Sequence, residues 1–525
     1  MAMNDEGMGH VDAIYDWSKG NDNTQRASDI LFGISIHSDP TKAQIIDLSY
    51  SAMIELSMIV NIGEPLWQPQ NHHRHQILNK NEYLRQFGQM DDTLRDIMKL
   101  VEVGQPQSLS NLDSYLCQHS MSKVNKNEDL QVEGSRDMEY IKMSASDIVE
   151  LLMDMNQWSR EFFNIVSSTT MVETLLDGAQ GSNDGKLHVM SAELHLPTPF
   201  APSRECYFAR YCKQLSQHIW GVVDISLEKF FPSPSTNFRK RPSGCIIEAM
   251  PNGFSKVIWV EHVEANHDQV NKQFQPLVTS GFAFGATRWL SSIVQHSEWL
   301  ETLKGPTLVA DDGGGRISLL NVADRMMRTF VSDINTSTRN SWIQIPSSPG
   351  SADVKFIVKN NSDEIGKPIG TSVLFTTSLW VNASPNQLFN FLRHGSSRKK
   401  TSEDKTEIFY IQKSYTDSMA SYVIYAPLDE SSLKALGKGS NPDIVMILPS
   451  GFVICPSGFP RNDGVDKNNG GGSILTIAFH IVESSSIRSI ISPESVETLY
   501  KVITDTVSAI SDAVVYNNMY KAWLM

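Results

Sequence analysis

The chain has 525 residues, 40% of them hydrophobic, and a formal net charge of −14 at neutral pH. At roughly 150 residues per domain that length calls for two to four domains, and the apolar fraction excludes wholesale disorder. Asp and Glu outnumber Lys and Arg by 59 to 45, which excludes nucleic acid as the main partner, since neutralising phosphates needs clustered cations.

Residues 1–40 are polar and aperiodic and read as a flexible tail, with neither the basic start nor the apolar centre of a secretory signal. Ile45, Leu48, Ala52, Leu56 and Ile59 then recur at steps of three and four, the period of one helix face, and Gly63-Glu64-Pro65 ends the run. Residues 70 to 137 are mixed, with a short helix expected around Leu94 to Val101. Ser144-Ala145-Ser146-Asp147 precedes Ile148, Leu151, Leu152 and Met155, the pattern of a capped short helix. Strands are expected over Leu187–Leu196, Glu205–Lys213, Ile219–Leu227, Cys245–Met250 and Ser255–Glu264. Between the last two, Pro251-Asn252-Gly253 is a hairpin signal. A long helix is expected from Gln269 to Leu303, its apolar face carrying Phe274, Val278, Phe282, Leu290 and Ile293.

Asp311-Asp312-Gly313-Gly314-Gly315 reads as an interdomain linker. The second half then repeats the order of the first. Asn382-Ala383-Ser384-Pro385 opens a short helix, and strands are expected over Glu407–Lys413, Ser421–Ala426, Ile444–Leu448, Phe452–Cys455 and Ser473–Val482. Ser492 caps a last helix with Pro493 in its first turn and a stripe of Val496, Leu499, Ile503, Val507, Ile510 and Val514. Short helix, antiparallel strands and long terminal helix define an α+β fold, in which a helix laid across a curved sheet encloses space for an apolar ligand. No apolar run approaches the roughly 20 residues of a bilayer span, so no integral membrane association is expected.

Several stretches resemble one family in their order and spacing. These are Glu64-Pro65-Leu66-Trp67, Leu151-Leu152-Met153-Asp154-Met155-Asn156-Gln157-Trp158, Arg204-Glu205-Cys206-Tyr207-Phe208-Ala209-Arg210-Tyr211-Cys212, Trp259-Val260-Glu261-His262, and Gly281-Phe282-Ala283-Phe284-Gly285-Ala286. Leu448-Pro449-Ser450-Gly451-Phe452 and Glu494-Ser495-Val496-Glu497-Thr498 continue the match into the second half. Together they resemble the plant homeodomain leucine-zipper proteins of the glabra-type class IV, over the START domain and the region after it. The resemblance implies a helix-grip START domain at 41–303, a linker at 304–316 and a second START-like domain at 317–525, shortened near 394–406. It implies a lipid-binding or sterol-binding module of a nuclear transcription regulator, with family-member proteins as partners. No homeodomain recognition helix or leucine heptad is found, so DNA contact is expected only through a segment absent from this chain, and localisation becomes cytoplasmic if import is lacking. The rival expectations are a helix-grip enzyme acting on an apolar substrate and an inert or competing truncated family member.

The residues expected to meet a ligand are Glu193, Phe208 and Arg210 on strands, and Phe274, Val278 and Phe282 on the long helix. Glu193 and Arg210 are expected to pair and to orient a polar ligand group, as START domains often do with an acidic and a basic residue. His195 beside Glu193 and His262 beside Glu261 are the acid–base pairs to weigh, but no nucleophile elbow or phosphate loop accompanies them. No catalytic residue and no cofactor is expected. His72, His73 and His75 lack the company and spacing of metal ligands. The five cysteines are scattered, and Cys206 and Cys212 would lie roughly 20 Å apart along one strand, so all read as buried thiols. Arg239-Lys240-Arg241 and Arg398-Lys399-Lys400 read as solvated loops.

Overall fold

The structure, a computed structural model, describes residues 39–69, 75–87, 130–227, 230, 238–305, 314–345, 353–394, 409–457, 472–487 and 491–524. Most of the first-half expectations fall inside these spans. The helix expected at Leu94 to Val101, the basic run at 398–400 and Cys117 lie outside them.

Helix α1 (Asp39–Ile59) comes first and carries the expected stripe, with Ile45, Leu48, Ala52, Leu56 and Ile59 all buried. Three strands follow, β1 (Trp67–Pro69), β2 (Gln76–Leu78) and β3 (Gln131–Ile141), then helices α2 (Ala145–Met153) and α3 (Met155–Glu161). Ser144 caps α2 as expected, its Oγ accepting the Asp147 N–H at 3.2 Å. The antiparallel run is β4 (Val166–Asp177), β5 (Lys186–Leu194), β6 (Arg204–Ser216), β7 (Ile219–Ser226), β8 (Phe238–Lys240), β9 (Ser243–Ala249) and β10 (Ser255–Ala265). Asn252 makes the β9–β10 turn with φ of 67°, a conformation asparagine tolerates better than most residues. Spatially the sheet runs β1-β2-β3-β10-β9-β7-β6-β5-β4, with β8 paired to β10.

The single long helix expected from Gln269 to Leu303 is two helices, α4 (Gln275–Thr279) and α5 (Ala286–Lys304). Gly281 between them has φ of 73°, which a right-handed helix cannot contain. Helix α5 lies along β3 and β10 on one face of the sheet, and α1 covers β6, β7 and β9 on the other. By length and composition Pro40–Asn61 is apolar enough to cross a bilayer, but its stripe is spent on the sheet.

The second half begins with α6 (Gly314–Ile334), followed by β11 (Ile343–Gln344), β12 (Val354–Asn361), β13 (Gly370–Val381) and α7 (Pro385–Arg393). It continues with β14 (Phe409–Thr416), β15 (Ser421–Leu428), α8 (Glu430–Gly437), β16 (Ser450–Pro456), β17 (Ser473–Ser484) and α9 (Pro493–Leu524). The sheet order is β11-β12-β13-β17-β16-β15-β14, antiparallel throughout. Ser384 and Gln387 form a capping box on α7, and Ser492 accepts the Ser495 N–H at 3.1 Å at the start of α9.

Two expectations fail here. Ile444–Leu448 is no strand; Pro442–Ile444 is one 3-10 turn, and the Ile447 N–H donates to the Gly366 carbonyl at 3.0 Å. Gly314 and Gly315 are not linker but the first turn of α6. A Cβ at Gly315 would lie 2.3 Å from the Gly437 carbonyl oxygen, so the glycine serves a close helix–helix approach.

The core is continuous across the halves. Phe208, Trp259 and Leu290 of the first sheet's inner side belong to one buried cluster with Val322, Phe330, Leu374 and Tyr422 of the second half. Separate clusters lie under α1 and between the second sheet and α9.

Candidate ligand chamber on the inner face of the first sheet

Strand alternation decides which side chains reach the space between sheet and α5. On β6, Cys206, Phe208 and Cys212 join the inner core while Tyr207, Ala209 and Tyr211 face α1. Arg210 shares the parity of Phe208 and points inward. Its Nε and Nη2 donate to Asp224 Oδ1 and Oδ2 at 2.8 and 2.9 Å, a bidentate fork, and Nη1 donates to the Leu152 carbonyl at 2.8 Å. Lys240 on β8 donates to Glu261 Oε1 at 2.9 Å and lies 3.6 Å from Asp224 Oδ2. The other Glu261 oxygen accepts the Trp259 indole N–H at 3.2 Å.

Two cations and two anions therefore close on themselves inside an apolar shell. The shell is aromatic: Trp289 of α5 stacks between Trp158 of α3 and Trp259 of β10, at centroid distances of 6.1 and 5.4 Å and interplanar angles of 2° and 5°. The Arg210 guanidinium sits 4.1 Å from the Trp158 ring centroid, and the Lys240 ammonium 5.2 Å from that of Trp289. Phe208, Arg210, Asp224, Lys240, Glu261 and the three tryptophans are each 3% exposed or less, so no open cavity adjoins them. Burial works to raise the Asp224 pKa, but Arg210 and Lys240 outweigh it and hold it below the usual range. At Glu261 burial prevails over Lys240 and raises the pKa; at Lys240 burial is outweighed by Glu261 and Asp224 and the pKa rises.

Of the residues singled out in the sequence, Phe208 and Arg210 lie in this network and Glu193 does not. The expected Glu193–Arg210 pair is absent because β5 pairs with β6 so that Met190 faces Phe208 and Glu193 faces Glu205, giving Glu193 the opposite parity to Arg210. Glu193 instead accepts from Ser203 Oγ at 2.7 Å, Ser167 Oγ at 3.1 Å, Ser168 Oγ at 3.3 Å and the Thr338 N–H of the second half at 3.0 Å. Phe274 and Val278 are buried in the inner core, whereas Phe282 is half-buried with its ring edge to His75 at 5.9 Å.

Sequence reasoning missed Asp224, and it weighed Glu261 only beside His262 and Lys240 only within a basic run. Asp224 was legible as the one charge in Gly221–Ser226, on the parity of Val222. Arg239-Lys240-Arg241, read as a solvated loop, is an alternating strand end: Arg239 and Arg241 pair with Glu264, and Lys240 turns inward.

The acid–base pairs do not form. His262 packs on Tyr83 at 4.5 Å on the face opposite Glu261, and the His195 nitrogens meet the Leu196 and Phe163 carbonyls at 3.1 and 2.9 Å. Cys206, Cys212, Cys245 and Cys455 are free and buried, and burial pushes the Cys206, Cys212 and Cys455 thiols up to about 12. Among the described residues no His, Cys, Asp and Glu group has metal-site geometry.

Residues 106–299 match the family model described as START domain, and residues 313–402 and 399–515 match PDF2-like, C-terminal domain. The chain is thus a START-domain protein with a PDF2-like C-terminal domain. The homeobox-leucine zipper protein HDG3 of Arabidopsis thaliana is 32% identical over 512 residues, covering 90% of this chain and 65% of its own. Homeobox-leucine zipper protein GLABRA 2 of the same plant is 31% identical over 516 residues, covering 89% and 64%. Across these domains the chain's homologues are class IV homeodomain leucine-zipper proteins, and it spans 60–65% of the length of the first of these relatives. Among solved structures, human StAR-related lipid transfer protein 5 is 12% identical with a TM-score of 0.32, covering 50% of this chain and 100% of its own. The di-domain ARO/CYC StfQ is 9% identical with a TM-score of 0.21, covering 74% and 93%.

Proposed function

We propose that this chain is the ligand-responsive regulatory part of a plant transcription regulator, taking one amphipathic lipid or sterol-like molecule into the START domain. The observation that carries this reading is the neutral Arg210–Asp224–Lys240–Glu261 network inside an aromatic shell. A neutral ligand hydroxyl or carbonyl can hydrogen-bond into it without adding a charge that has no partner, and the ligand's apolar body can replace indole surface. The ligand enters by displacing Trp289, because the described form is closed. No step of covalent chemistry is assigned to the chain. Its place is the nucleus, alongside family members, and the net charge of −14 argues against DNA reading by these domains.

The close packing favours a second reading, a filled START domain that works only through protein contacts. Native mass spectrometry of the chain incubated with plant lipid extract separates the two. Retention of one lipid per chain, weakened about tenfold or more by Arg210→Lys, supports the first. No retained lipid at any concentration leaves the second.

A further inference from the structure

The geometry points to α5 as a shared wall that couples occupancy of the START chamber to the hold on the C-terminal domain. Adjacent residues of its first turns serve the two sides. Trp289 fills the chamber as the middle ring of the three-indole stack. Arg288 is fully buried and forms no ion pair among the described residues; its guanidinium donates instead to three carbonyls, Ala283 at 2.8 Å, His195 at 3.1 Å, and Asn164. Those carbonyls fix the loop before α5, the end of the β5 segment and the segment leading into β4. Burial pushes the Arg288 pKa down, with Asp417 of the C-terminal domain pulling the other way, and at the neighbouring residue Ser418 Oγ of that domain donates to the Thr287 carbonyl at 3.5 Å.

The rest of the same helix face is spent on the seam. Ser291 Oγ donates to Ser418 Oγ at 2.7 Å, and the Lys413 ammonium lies 5.4 Å from the Trp299 ring centroid. Helix α5 can leave Trp259 only by rotating or lifting, and either motion withdraws Arg288 and Ser291 from their partners. The Arg288 Nε already lacks a partner, so each further acceptor lost leaves another donor unpaired in a dry site. The chamber and the seam are therefore one bistable element, and an occupant that holds α5 away loosens the β14–β15 turn at Ser418. The coupling is reciprocal: a loosened seam opens the chamber.

This rests on the reading that a ligand enters the chamber, but the test has an arm without ligand. Hydrogen–deuterium exchange is measured on the full chain for wild type, Trp289→Leu, which removes the stack and keeps an apolar side chain, and Arg288→Lys, which keeps the charge and loses the three-carbonyl grip. Trp289→Leu is expected to speed exchange at 416–424 by about tenfold or more while α9 is unchanged, and Arg288→Lys to speed exchange around Trp158 as well as at 416–424. Exchange in a folded Trp289→Leu chain that changes only inside 130–304 overturns the coupling. So does Arg288→Lys loosening the seam with Trp158 still protected, a result that stands even if Trp289→Leu does not fold. In the ligand arm, lipid retained with no change at 416–424 overturns the coupling and keeps the lipid reading. No lipid retained, with both variants behaving as expected, removes the lipid reading and keeps the coupling.

Discussion

Arg210 and Asp224 show how much a single buried side chain can cost. Each is under 5% exposed and each is the other's main compensation. Arg210→Met leaves Asp224 facing Lys240 alone, and urea unfolding should show a loss of about 3–5 kcal/mol. Replacing both, as Arg210→Met with Asp224→Leu, should recover most of it; a double variant as unstable as the single would show that the pair is not the source. His195 and His480 act through pH. Burial, aided by Arg288, holds His195 down to about 4, and burial holds His480 down to about 4 against the pull of Asp333, both from an ordinary 6.5. The unfolded chain thus binds more protons than the folded one between those values, so stability is full above pH 6.5 and falls as pH drops toward 4. Buried His188 is lowered to about 4 as well, so the slope should reach about 1.4 kcal/mol per pH unit for each of three histidines, and His480→Gln should remove about a third of it. A urea midpoint that stays flat from pH 6.5 to 4.5 would contradict the burial of all three.

At the scale of elements, the sequence was most readable where one physical rule acted alone. The caps at Ser144 and Ser492, the α1 stripe and the Asn252 turn each follow from local periodicity or hydrogen-bonding chemistry, and all are present. Elements whose side chains mix polar and apolar on both faces were missed, as β4 (Val-Ser-Ser-Thr-Thr-Met-Val-Glu) and β12 were. The charged network was half legible: Arg210 and Phe208 follow from alternation on β6, but their partners come from β7, β8 and β10, and register between strands is not written in any one of them. Helix α6 was hidden because its opening glycines read as a linker. Their reason is tertiary, so Gly315→Ala should lower stability by about 1–3 kcal/mol through the clash with Gly437, while Gly63→Ala, which meets nothing within 4 Å, should be near neutral. Equal melting temperatures for the two variants would refute the close approach.

For the whole molecule, the shared core means that the two halves are not beads on a string. Thr336 Oγ1 donates to the Ala201 carbonyl at 2.7 Å, Lys355 to the Pro199 carbonyl at 2.9 Å, and Thr338 to Glu193, all beside the continuous apolar cluster. Heating should give one cooperative transition, and cutting an engineered protease site between α5 and α6 should leave both fragments eluting together. Two resolved transitions, or fragments that separate on a sizing column, would show that the seam is weak. The tryptophan stack has a consequence for how such experiments can be watched. Three indoles with nearly parallel planes and neighbouring centroids 5.4 and 6.1 Å apart share their electronic excitation, so their near-ultraviolet circular dichroism belongs to the trio and not to any one ring. Moving Trp289 alone splits the trio and abolishes that shared signal while the remaining tryptophans keep theirs. The protein thereby carries, without any label, an optical gauge of whether its own interior is closed.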